Sequence, residues 1–166
     1  MTYFEEIYRK YFSDVYAFIL RLSGDVHVAE DITSDTFIKA MKALDKFRGD
    51  CDIRVWLCQI AKNCYYSHLR KTNKEEYTDE AELIDTTDVG NNVEDQLIKK
   101  ERLAEIRKAL NEIPDQYKEV YIWRIFAQLS FQQIGKIFSK SENWACVTYH
   151  RAIGMIKKKI EDESDV

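Results

Sequence analysis

The chain has 166 residues, a formal net charge of −4, 45% hydrophobic residues, five glycines and one proline. That length allows one domain or two small ones. So little Gly and Pro leaves an all-β protein without its turns. No apolar run approaches the ~18 residues of a membrane span, and Met1-Thr-Tyr-Phe-Glu-Glu places acids where a secretion signal would be basic, so a cytoplasmic protein with no membrane insertion is expected.

Residues 3–22 set Phe4, Ile7, Tyr8, Tyr11, Val15, Phe18, Ile19 and Leu22 at steps of three and four, predicting an amphipathic helix. Ser23-Gly24-Asp25 ends it and caps the next. From 26 to 46, Ala29, Ile32, Phe37, Ala40, Met41 and Leu44 form the predicted buried stripe. Phe47-Arg-Gly-Asp50 is a turn. A third helix places Ile53, Trp56, Leu57, Ile60 and Cys64 inward, giving a bundle of three or four helices. Residues 72–96 lack periodicity and read as an acidic flexible linker. Periodicity resumes near Val93 and runs to Ile113, and Pro114-Asp115 restarts the chain into a helix with Val120, Tyr121, Trp123 and Ile125. Ser130-Phe-Gln-Gln133 matches a capping box opening a short helix to Phe138. Ser139-Lys-Ser141 turns, and Ser141 caps a longer basic helix. A short helix, a tight turn and a longer helix make a helix-turn-helix. The expected fold is all-α: two small helical domains, 1–71 and 97–166, joined by the linker 72–96.

Charge is segregated along this plan. Residues 36–74 hold nine bases and three acids, 75–96 hold nine acids and no base, and 117–160 hold eight bases and two acids. Two basic modules flanking an acidic strap suit nucleic acid better than the net charge suggests.

On the last helix the predicted core stripe is Ala145, Tyr149, Ala152 and Ile156. The opposite face then carries Asn143, Trp144, Val147, Thr148, His150 and Arg151, with Lys157–Lys159 at its end. Such a face enters a major groove with Asn for adenine, Arg for guanine and Val or Thr for a thymine methyl, while terminal lysines take phosphates. Trp144 has an alternative place, tucked under the preceding helix. In the first module Phe47, Trp56, Tyr65 and Tyr66 alternate with Arg48, Arg54, Lys62, Arg70 and Lys71. Aromatics among bases suit single-stranded DNA, although Trp56 also falls on the apolar stripe.

Cys51 and Cys58 are seven residues apart, about 10 Å along a helix, too far for a disulfide. No Cys/His spacing suggests a metal. Cys51, Cys58 and Cys64 read as small core hydrophobes. His27, His68 and His150 lie in separate segments without a catalytic pattern, so neither an enzyme nor a thiol sensor is expected.

Three motifs resemble the extracytoplasmic-function (ECF) sigma factors of bacterial RNA polymerase. They are Ala29-Glu-Asp-Ile-Thr-Ser-Asp-Thr-Phe-Ile-Lys-Ala40, then Phe47-Arg-Gly-Asp through Asn63 to Leu69-Arg-Lys71, and Leu129-Ser-Phe-Gln-Gln-Ile-Gly135 with Ser141-Glu-Asn143 and His150-Arg-Ala152. The resemblance covers nearly the whole chain except the linker. It implies a non-enzymatic, cofactor-free protein whose partners are core RNA polymerase, promoter DNA and an anti-sigma factor. Glu30, Asp31 and Asp35 would dock on a basic coiled coil of the polymerase. Arg54, Trp56, Lys62, Asn63, Tyr65, Tyr66 and Arg70 would recognise and melt the downstream element, with Asn63 beside a captured base. Ser141, Asn143, Trp144, Cys146, Val147, Thr148, His150 and Arg151 would read the upstream element, with Cys146 a thiol where a cation is expected. The linker's acids would lie in the RNA exit path. A stand-alone helix-turn-helix regulator is the alternative; it would not need the first module.

Overall fold

The computed structural model describes residues 2–74 and 93–164, and the side chains of 2–72 and 102–164. The chain divides into two units, Met1–Ile84 and Asp85–Val166.

The first unit holds α1 (Tyr3–Ser23), α2 (Val26–Ala43) with a single 3-10 turn at Leu44–Lys46, and α3 (Ile53–Lys74). Caps fix the boundaries. The Thr2 hydroxyl accepts from the Glu5 N–H at 3.2 Å, and the Glu5 carboxylate accepts from the Thr2 N–H at 3.3 Å. Two of the orphan donors at the helix start are thereby satisfied. Gly24 ends α1 at φ 72°, a left-handed conformation that costs glycine little. Its N–H donates to the Leu20 carbonyl at 2.8 Å. One residue later the Asp25 carboxylate accepts from His27 and Val28 N–H at 2.9 and 3.2 Å and opens α2. The three helices pack on one another around Val15, Phe18, Ile19, Ala29, Ile32, Leu57 and Ala61, all essentially buried.

Exposure corrects parts of the predicted stripes. Met41, expected in the core, is 53% exposed, and Tyr8 is 42% exposed. At 100° per residue Met41 falls just past Phe37, at the margin of the buried stripe. Cys58 and Cys64 are buried as expected, but Cys51 is half-exposed in the turn before α3. None of the four cysteines is disulfide-bonded.

The second unit holds α4 (Val93–Glu112), α5 (Asp115–Tyr121), α6 (Phe131–Ile137) and α7 (Glu142–Ser164). Between α5 and α6 the chain makes a π-helical turn over Ile122–Phe126, which periodicity did not foretell. α7 packs against α4, α5 and α6. The core is Val120, Ile122, Trp123, Phe126, Leu129, Ile134, Ala145 and Ala152, each no more than 2% exposed. The predicted capping box is present: the Ser130 hydroxyl accepts from Gln133 N–H at 3.1 Å, and the Gln133 side-chain oxygen accepts from Ser130 N–H at 2.9 Å.

The linker expected over 72–96 falls largely outside the described residues. Residues 72–74 complete α3 and 93–96 begin α4, while residues 75–92 lie outside the described residues.

Candidate docking and nucleic-acid interfaces

α2 buries Ala29, Ile32, Thr33, Thr36, Phe37 and Ala40. The 3.6-residue repeat then turns Asp31, Ser34, Asp35 and Ile38 to the opposite side. Glu30, Asp31 and Asp35 are all exposed. Ile38 and Met41, 49% and 53% exposed, continue the same surface. Sequence reasoning found the acids and missed the apolar pair. Ile38 could have been found, since it lies opposite Ala29, Ile32 and Thr36 on the helical wheel. An exposed apolar patch with a charged rim has the make-up of a protein-binding surface. Asp31, Ser34, Asp35 and Lys39 also wall a cleft of about 330 Å³, faced by Ser67 and His68 of α3.

α3 gathers most of the predicted single-strand contacts. Asn63, Tyr66 and Arg70 follow one another at steps of three and four. Asn63 and Arg70 are exposed, and Tyr65 and Tyr66 are partly exposed with ring centroids 5.8 Å apart. The Lys62 ammonium lies 5.5 Å from the Tyr66 ring centre, a cation–π distance. The Arg70 guanidinium donates to the Ser67 hydroxyl at 3.1 Å. Two residues stand apart. Trp56 is half-buried with its ring 4.8 Å from Phe47, which favours its packing role. Arg54 sits at the start of α3 with Nε 3.6 Å from an Asp14 carboxylate oxygen on α1. Burial, and then the neighbouring Arg54 charge, hold the Arg21 guanidinium below its ordinary pKa, with Asp14 opposing them. Arg54 is thus engaged by α1.

α6 and α7 meet closely. A Cβ on Gly135 would lie 2.8 Å from the carbonyl oxygens of both Lys140 and Ser141. Only glycine therefore lets the turn fold back onto α6 without a shift. The Ser141 hydroxyl accepts from the Trp144 N–H at 3.0 Å and opens α7. Asn143, Val147, His150 and Arg151 are exposed at helical spacing, as are Lys157, Lys158 and Lys159. Thr148 is a correction: expected on the open face, it is 4% exposed. It follows Ala145 by three residues and precedes Ala152 by four, so it belongs to the core stripe. Trp144 is half-buried, its ring 5.3 Å from Phe138, in the packed alternative. Cys146 is half-exposed beside Val147.

Among the described residues, no group of three or more His, Cys, Asp or Glu could hold a metal ion, and no helix is long and apolar enough to cross a membrane.

A helical unit with an acidic-apolar surface and an aromatic-basic helix, followed by a helix-turn-helix unit, defines a DNA-binding protein with two separate interaction modules. Comparison with known proteins makes the class specific. Residues 7–75 match the Sigma-70 region 2 family. The chain is 30% identical over 157 residues to the RNA polymerase sigma factor YlaC of Bacillus subtilis (strain 168), covering 94% of this chain and 91% of that one. It is 28% identical over 167 residues to the ECF RNA polymerase sigma factor SigM of the same organism, covering 96% and 98%. The fold is similar to that of the sigma factor RpoE in a complex with the anti-sigma factor NepR from Bartonella quintana, with TM-score 0.66, 23% identity and coverage of 95% and 96%. It is also similar to CnrH in complex with the cytosolic domain of CnrY, with TM-score 0.63, 16% identity and coverage of 96% and 88%. The chain belongs to the ECF sigma factors of bacterial RNA polymerase. It directs the polymerase to promoters and is not an enzyme. A stand-alone regulator is thereby set aside.

Proposed function

We propose a division of labour among the surfaces just described. The α2 surface, with Asp31 and Asp35 around Ile38 and Met41, docks on core polymerase. The acids steer the encounter and the apolar pair supplies contact area. α3 takes the downstream element, with Lys62, Tyr65, Tyr66 and Arg70 holding a single strand and Asn63 contacting an extruded base. Extruding a base costs a few kcal/mol and a stacked base returns about 1–3 kcal/mol, so a few such contacts trap an opened bubble without ATP. The exposed face of α7, Asn143, Val147, His150 and Arg151, reads the upstream element. Ser141 starts the helix at the groove, and Lys157–Lys159 hold phosphates. Thr148 and Trp144 support this face from beneath. Functional boundaries follow at 1–71, 72–96 and 97–166.

Supporting this reading is one observation above the others: in the first unit the acidic-apolar surface of α2 is exposed and the aromatic-basic surface of α3 is partly exposed, while the same two helices share one core. The two similar solved structures described above are complexes with an anti-sigma factor and with a cytosolic domain. We extend that to an anti-sigma partner here, and to action in the cytoplasm, where the polymerase works.

The test separates opening from docking. Replacing both Tyr65 and Tyr66 by Ala should abolish open complexes on duplex promoter DNA, leave core-polymerase affinity intact, and be largely rescued by a template with a pre-opened bubble. Unchanged permanganate reactivity on the duplex would remove α3 from this role.

A further inference from the structure

The link between α5 and α6 is built differently from an ordinary helix end. In the π turn the Ala127 N–H donates to the Ile122 carbonyl at 3.1 Å, five residues back, and the Leu129 N–H reaches the Trp123 carbonyl at 3.0 Å. Gln128 between them is left-handed at φ 58°. The turn leaves the carbonyl of the buried Leu129 outside the hydrogen-bond ladder of α6. Arg124, on the π turn itself, donates to that carbonyl from Nη1 at 3.0 Å. Its guanidinium carbon also lies 4.1 Å from the centre of the Phe131 ring, at the first residue of α6. One planar group therefore fixes both the backbone before the α6 cap and the ring after it, a pairing that suits Arg and not Lys.

Phe131 passes this placement on. Its ring centroid is 5.5 Å from that of Tyr149 on α7. Tyr149 stacks on Tyr121 at 6.2 Å and meets His150 edge-on at 5.4 Å. His150 and Arg151 are on the exposed face of α7. We infer that Arg124 is a positioning residue for DNA sequence reading, setting the seat of α7 through Phe131 and Tyr149. This rests on the proposal that α7 reads the upstream element. Sequence-specific contacts need side chains placed to within a fraction of an ångström, whereas phosphate attraction tolerates small displacements.

The test uses the full chain assembled with core polymerase and a duplex library randomised over the upstream region, sequenced before and after binding. The parent chain should enrich one upstream motif. Arg124→Lys keeps the positive charge and N–H donors but loses the flat stacking group. It should lower the motif's enrichment about five- to tenfold while total DNA retained at low salt changes less than about twofold, since the phosphate-neutralising charge is conserved. Phe131→Leu should have the same effect with Arg124 intact, and Phe131→Tyr, which keeps a ring, should restore enrichment. Equal enrichment by R124K and the parent would overturn the inference. So would a proportional fall in specific and non-specific retention, which marks a general loss of structure. If R124K loses helicity, the contrast between Phe131→Leu and Phe131→Tyr decides in the same way. Absence of any upstream motif with the parent chain would instead overturn the assignment of α7, and this inference with it.

Discussion

Neighbouring residues on α7 show how finely one helical turn divides roles. Thr148 is in the core while Val147 is open, and Cys146 is half-exposed beside them. An arginine at position 146 can extend its guanidinium past its own stem toward a phosphate. Cys146→Arg should therefore tighten DNA binding and steepen the log-affinity against log-salt line by about one unit; anisotropy titrations at several salt concentrations read both, and equal slopes would exclude the phosphate contact. The other cysteines differ by burial. Burial pushes the Cys58 thiol up to about 12, opposed by Arg54 and reinforced by Asp14 and Asp52. Burial, with Asp50 and Asp52, also raises Cys51. Between the ordinary value of 9.0 and about 12, the unfolded chain releases the Cys58 proton and the folded chain keeps it. Stability is thus fully present below the ordinary value and declines as pH rises through that window. Thermal melts from pH 8 to 10.5 should show a shallower alkaline decline for Cys58→Ala than for the parent. Alkylation of the native protein at pH 8 should modify Cys146 and Cys51 and spare Cys58 and Cys64. At this scale the sequence disclosed residue types better than exposure. Thr148 and Met41 were misplaced because each lies at the margin of an apolar stripe, where the neighbouring helix decides which side is covered.

Among the elements, caps and stripes were legible and the joints were not. Asp25, Ser130 and Ser141 act locally, through hydrogen bonds to N–H groups two or three residues away, so their meaning travels with the sequence; the Thr2 cap works the same way but was not read from it. The π turn does not announce itself, because Ile122-Trp-Arg-Ile-Phe126 fits an ordinary helix equally well; Trp123 and Phe126 within it are buried, and Gln128 just after it is left-handed. Gln128 and Ser139, at φ 58° and 56°, bracket α6 without the glycine such conformations favour. Left-handed backbone costs a side-chain-bearing residue roughly 1–2 kcal/mol, partly offset by the lower unfolded-state entropy it has relative to glycine. Gln128→Gly and Ser139→Gly should each raise stability by about 0.5 kcal/mol, read as a shift in urea midpoint with unchanged slope. Gly135→Ala should do the reverse. Its methyl meets two carbonyl oxygens at 2.8 Å, and overpacking of this kind costs about 1–3 kcal/mol. A G135A midpoint equal to the parent's would show that the turn yields freely.

For the whole molecule, segregated charge was the most informative sequence feature. The chain sums to −4, yet its basic residues concentrate in 36–74 and 117–160, the stretches that contain α3 and most of α7. What composition could not disclose was the apolar part of the docking surface, since Ile38 and Met41 look like core residues until the helix is placed. Reversing Asp31 and Asp35 to Lys should weaken core-polymerase binding about tenfold or more, chiefly through slower association, and Ile38→Ser with Met41→Ser should weaken it through faster dissociation. Surface-immobilised polymerase resolves the two rates.

Transcription reconstituted from purified core polymerase and this chain, on a library of genomic fragments with 5′ ends sequenced, tests the division of labour most directly. Start sites should depend on the chain and share an upstream and a downstream element at fixed separation. Variants of α7 at Asn143 or Arg151 should change only the upstream preference, and Asn63→Ala only the downstream one. Start sites sharing a single element, or shifts in both elements from either set of variants, would contradict that division.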